Sequence, residues 1–219
     1  MDDYNKKNME HINIIDKVYL ANDGELRTFH MQKVHLHQGE LDGACAVYSM
    51  MMCLIIEKIT SRSMLKNPPE KLKRSTADGR LVRFFLENQG MVVNGYLIKK
   101  LHEDLKSAYN KKVNSYYYSS DDTNVVDEII RCLDENHPVE IGFNYMVGMG
   151  GHAVVAIGYR ISKKSISLFC VDPSYPMDKC QMWNNVLEID TKARAKYNCK
   201  NIREDFKVKI DEIMYFEKK

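Results

Sequence analysis

Residues 44–59 read ACAVYSMMMCLIIEKI, and this stretch decides how the rest of the chain is arranged. Apolar residues fall on every side of its helical wheel, so no stripe separates a wet face from a dry one. A helix of that kind has to be enclosed by other elements, and Asp42-Gly43 just before it is a helix start signal. The sequence therefore predicts one central buried helix, with the remaining elements as its cover.

Working outward, HINIIDKVYL at 11–20 and LRTFHMQKVHLHQ at 26–38 alternate apolar with polar residues around the turn signal Asn22-Asp23-Gly24. This pattern predicts a leading hairpin over about residues 10–38. The stretch 60–80, with Pro68, Pro69 and several basic residues, has little periodicity and reads as a surface insertion, solvated or lid-like. Helical spacing returns at 79–90, 94–109 and 123–137, the last stopped by Pro138. After Pro138 the texture changes to short β-branched and aromatic runs, VEIGFNY, HAVVAIGYR, SISLFCVD, NVLEID and VKIDEIMYF, which predict an antiparallel sheet. Tyr116-Tyr117-Tyr118 also fits a strand. The expected fold is α+β in a single domain, 1–219, with a helical lobe over about 44–136, a sheet lobe over about 138–217 and the functional cleft between them.

Composition excludes several classes. In 219 residues, 44% hydrophobic and 28% charged, the balance is that of a folded chain, and a formal net charge of +2 is too small to mark nucleic acid or an anionic membrane as the main partner. The terminus MDDYNKKNMEHINII has no apolar signal core, and nowhere do 18 apolar residues run together. The six cysteines contain no CxxC pair and read as reduced thiols. A cytoplasmic location follows as the expectation, with secretion by a signal-independent route still compatible.

One of these thiols has a setting the others lack. Cys45 stands in the first turn of the buried helix, after a Gly-containing loop, where unpaired N–H groups and the positive end of the helix dipole favour a thiolate nucleophile. Such a nucleophile needs a proton partner. His152, behind Gly148, Gly150 and Gly151 and leading an apolar strand, is the best placed of the histidines. Residues 152 and 172 are symmetric about residue 162, inside the turn signal Ser162-Lys163-Lys164, so a hairpin brings Asp172 to His152, its carboxylate accepting from Nδ1–H. Gln38, at the end of a predicted strand, can donate an amide N–H to a developing oxyanion beside the Cys45 backbone N–H.

His35-Leu36-His37 is half of a zinc site, with Cys45 or Asp42 near in sequence, but no fourth ligand is evident. The pair reads instead as solvent-facing residues of an edge strand, and His137 as a favourable charge at a helix C-terminus.

The order Gln38, Cys45 opening a central helix, Gly151-His152 on a strand and Asp172 on the next resembles the papain-like cysteine peptidases, within that clan the bacterial C39-like type. VDPSYP at 171–176 and Met182-Trp183-Asn184 look like the stretch after the acidic residue in C39-like proteins, and the resemblance covers roughly residues 28 to 190. It implies a papain-like fold and peptide-bond cleavage by a Cys45-His152-Asp172 triad, with Gln38 at the oxyanion, a peptide or protein substrate and no cofactor. The family places the Gln six residues before the Cys and often a Gly after it. Here the spacing is seven and Ala46 follows, so Asp42 or a backbone donor stands beside Gln38 for the oxyanion role. The same residues also suit a transglutaminase-like or deamidating acyl transfer, or a catalytically silent papain-like interaction module.

Overall fold

The protein's structure, a computed structural model, describes residues 11–38, 44–66, 80, 98–109, 111–146, 148, 150–193 and 197–219. The apolar stretch forms helix α1 (Cys45–Ile56), and every residue from Ser49 to Glu57 is buried. Its cover is a set of strands: α1 lies against β5 (Val139–Tyr145), β6 (Gly151–Ile161) and β10 (Phe206–Lys218).

With β7 (Ser165–Val171), β8 (Asn185–Asp190) and β9 (Cys199–Asn201) these strands close into a ring, in the order β6, β5, β10, β9, β8, β7 and back to β6. All neighbours are antiparallel. Closure leaves no bare edge within the ring. Two strands attach outside it: β1 (His11–Ile14) on β6 and β4 (Val113–Ser119) on β10. The mixed α+β architecture expected from the sequence, a buried Cys45-bearing helix on an antiparallel sheet, is what the chain adopts.

Helices α3 (Ile98–Tyr109) and α4 (Val125–Asp134) stand where helical spacing predicts them. α4 starts cleanly because Asn124 Oδ1 accepts from the Val126 N–H at 3.2 Å, and it buries Val125, Ile129, Cys132 and Leu133. The expected helix at 79–90 lies outside the described residues apart from Arg80, as do residues 67–79 of the insertion, whose first part is the short helix α2 (Arg62–Lys66). The three tyrosines do sit on a strand, β4, so the helical half is interrupted by a strand that joins the sheet.

The leading hairpin differs from expectation. β2 (Val18–Leu20) and β3 (Leu26–Thr28) pair around Asn22-Asp23-Gly24, where Gly24 takes a positive φ of 79°. The first arm, however, breaks at a turn through Asp16 and Lys17, and its beginning becomes β1 on the main sheet. β6 offers a backbone neighbour there because Gly158 has no side chain: a Cβ at this position would lie 2.5 Å from the Asn13 carbonyl oxygen. Residues 34–38 form no strand, so Gln38 does not close one. β9 was not anticipated either, since Cys-Lys-Asn is too short to display an alternation.

Candidate active site

The relation between His152 and Asp172 is decided by the β6–β7 hairpin. Near its turn Ile161 faces Ile166, whereas Val155 faces Val171; between them β6 carries one extra residue, Ile157, at a register shift between Ala156 and Gly158. Continuing the inner register sets Asp172 opposite Val154, two residues from His152. Residues two apart share a face of a strand, so both side chains project to the same side. Without the bulge Asp172 would oppose Val155 and His152 would point away. The hairpin expectation thus reaches the right pairing by a different route: the midpoint is not residue 162, and the parity is set by a bulge that the sequence does not advertise.

His152 Nε2 lies 2.8 Å from Asp172 Oδ1. This overturns the expected use of Nδ1 toward the carboxylate. With Nε2 donating to Asp172, the Nδ1 edge of the ring is left for Cys45, which is among the groups that raise the His152 pKa. Cys45 is the first residue of α1 and partly exposed, and Ala44 at the N-cap has no side-chain acceptor for the first-turn N–H groups. Burial alone would lower the His152 pKa, but the Asp172 hydrogen bond first, and then the Cys45 contact, push it up to about 10.

Asp172 is fully buried and held on all sides. Its Oδ1 also accepts from the Ser174 N–H at 2.9 Å, and its Oδ2 accepts from Asn185 Nδ2 at 2.8 Å. Asn184 grips the main chain of the same residue, Oδ1 accepting from the Asp172 N–H at 2.6 Å and Nδ2 donating to the Asp172 carbonyl at 2.9 Å. His35 Nε2 reaches that carbonyl at 3.2 Å. A carbonyl can only accept, so His35 is in the Nε2–H form. It is buried, which corrects its reading as a solvent-facing residue and gives it a support role under Asp172. Neither Asn185 nor His35 was assigned to the site from sequence. The signal for the first was two consecutive amides opening a strand beside the one that carries Asp172.

Gln38 lies against the loop that follows Asp172. Its N–H donates to the Pro173 carbonyl at 2.9 Å and its Nε2 to Ser174 Oγ at 2.9 Å, while Oε1 is buried without a partner. Asp42, the alternative named for the oxyanion role, lies outside the described residues. Glu140 on β5 is buried with both oxygens unpartnered; burial first, and then the neighbouring Cys45 and Glu212, raise its pKa well above the usual carboxylate range. A neutral Glu140 puts no charge against a Cys45 thiolate. Of the other thiols, burial pushes those of Cys53 and Cys170 well up, and those of Cys132 and Cys199 to about 12. His137 is accounted for by Glu57, whose Oε1 lies 2.9 Å from its Nδ1 and whose carboxylate also pairs with Lys17. Among the described residues, no three His, Cys, Asp or Glu side chains come together as a cation site.

The site thus holds a cysteine at a helix start and a histidine that a buried aspartate holds through Nε2. A family model described as "Peptidase_C39 like family" matches residues 28–199. The chain belongs to the Peptidase_C39-like family. It is thereby a member of a family of papain-like cysteine peptidases, thiol hydrolases that act on peptides or proteins, and the family match spans α1, β6, β7 and all four candidate residues. A comparison with curated proteins found no match. Among the described residues, no helix of this C39-like chain is long and apolar enough to cross a membrane.

Proposed function

We propose that this C39-like protein cleaves peptide bonds with Cys45 as nucleophile, His152 as acid and base, Asp172 as orienting carboxylate and Gln38 as oxyanion donor. The observation that carries the reading is His152 Nε2 held 2.8 Å from the buried Asp172 carboxylate, with Cys45 at the start of α1 among the groups that act on the imidazole. The Cys45 thiolate attacks the scissile carbonyl carbon, forming a C–S bond as the carbonyl oxygen takes up the negative charge. The oxyanion collapses, the C–N bond breaks and the proton on His152 Nδ1 passes to the leaving amine, leaving a thioester. Water then gives a proton to His152 and attacks the thioester, which releases the acid and restores the thiolate. None of these steps needs a cofactor, nucleic acid or a membrane, and the site of action proposed for them is the cytosol.

For Gln38, a half turn of the terminal amide exchanges its oxygen and nitrogen. Ser174 Oγ–H then donates to Oε1, and Nε2 becomes the free donor, as an oxyanion hole requires. Gln38→Ala is expected to lower kcat by roughly 10²-fold or more with KM little changed. A near-normal kcat assigns the hole to other donors.

The raised His152 pKa fixes the sign of the pH dependence. An imidazolium stabilised in the folded state contributes its full stabilisation below pH of about 6.5 and loses it as pH rises through about 10. Activity is therefore expected to hold into alkaline solution, with its upper limb near pH 10. Asp172→Asn keeps an acceptor for Nε2–H but removes the charge, so that limb moves down while turnover falls only in part.

Incubation with a peptide library and mass detection separates the chemistries. New termini, absent in Cys45→Ala, are the expected result. A gain of about one dalton on intact glutamine peptides means deamidation on the same triad, and no thiol-dependent change of mass means an interaction module.

A further inference from the structure

We propose that Asn185 is a positioning residue of the triad, whose amide holds the second carboxylate oxygen of Asp172 and so keeps Asp172 an anion under His152. The proposal rests on the triad reading above. Asn185 opens β8, directly opposite Cys170 on β7, and is 2% exposed. Its orientation is settled by its two contacts: Oδ1 accepts from the Val186 N–H at 2.7 Å, so the NH₂ end must be the one 2.8 Å from Asp172 Oδ2.

Asp172 Oδ1 serves His152 and the Ser174 N–H, and Asn185 alone among the described contacts serves Oδ2. No lysine or arginine bonds to this carboxylate among those contacts. The titratable groups that face it are His152 on β6, Cys170 on β7, Tyr145 on β5 and Tyr175 in the following loop, with His35 on its carbonyl and Cys45 beyond His152. Only His152 is a cation partner in this group. Because Asp172 is fully buried, water does not replace a lost donor at Oδ2. An unsupported carboxylate holds its charge less well and draws the proton from His152, which weakens the imidazolium that a Cys45 thiolate needs.

NMR titration of the His152 ring in the full chain reads this without a substrate, alongside kcat/KM on a cleaved peptide. In Asn185→Ala, and in the near-isosteric Asn185→Leu, neither of which can donate to Oδ2, the His152 midpoint is expected to fall by about one pH unit or more. kcat/KM should drop roughly tenfold with KM unchanged. In an Asp172→Asn background Asn185→Ala should shift nothing further. Should the alanine variant not fold, the leucine variant decides alone. An unchanged His152 midpoint in a folded variant, or an equal shift in the Asp172→Asn background, overturns the role of Asn185 and leaves the triad standing. A wild-type His152 that titrates at its ordinary value overturns the triad reading, and the Asn185 role with it.

Discussion

Cys45→Ala and His152→Ala each lower turnover by roughly 10⁴-fold or more, and the double variant is no worse than the weaker single one, because thiolate and imidazolium act as one unit. Kinetics on a cleaved peptide, with circular dichroism as the check on folding, measure this. The two substitutions part company in stability. Cys45 is partly exposed at a helix start, where alanine is a good helix former. His152→Ala instead leaves a fully buried Asp172 without its cation, and one uncompensated buried charge is a recognised source of large destabilisation. Cys45→Ala should therefore melt like the wild type and His152→Ala several degrees lower. Additive losses of activity would show that the two side chains do not work together.

The largest loss of stability from a conservative change is expected at Gly158→Val. A Cβ there would lie 2.5 Å from the Asn13 carbonyl oxygen and 3.0 Å from Ile14 Cα, both backbone atoms of β1. Neither moves without separating β1 from β6, so the change should cost about 2 kcal/mol or more, a fall in Tm of roughly 5 °C. Gly158 also borders the Ile157 bulge that sets which face His152 occupies. Activity at low temperature should fall along with Tm, and thermal melts with a parallel assay test both. A Tm within a degree of wild type would mean that β1 is dispensable.

The contrast between Cys45 and Asp172 explains what the sequence makes legible. Cys45 was readable because its setting is local: a helix apolar on all sides with a Gly-containing lead needs no knowledge of the rest of the chain. Strands β5 to β8 and β10 were readable for the same reason. The His152–Asp172 pairing depends on a single bulged residue in a strand of uniformly apolar character, where nothing in HAVVAIGYR distinguishes Ile157 from its neighbours. The midpoint estimate came close because a shift of two residues preserves the face, and a shift of one would have failed. The choice of Nε2 over Nδ1 follows from where helix and strand place the ring, a tertiary fact. Asn185 and His35 act on Asp172 across 13 and 137 positions of the chain, and no periodicity encodes such contacts. β9 is visible only as the piece that closes the ring.

The most direct test of an activated Cys45 is alkylation by a limiting amount of iodoacetamide near neutral pH, followed by mass mapping of all six cysteines. Accessibility alone favours Cys180, the one thiol that is exposed while Cys45 is only partly so and the other four are buried. If His152 and the helix start hold Cys45 as a thiolate, Cys45 is modified first, ahead of Cys180, and His152→Ala removes that advantage. Modification of Cys180 first, with Cys45 intact in the folded protein, would contradict the account.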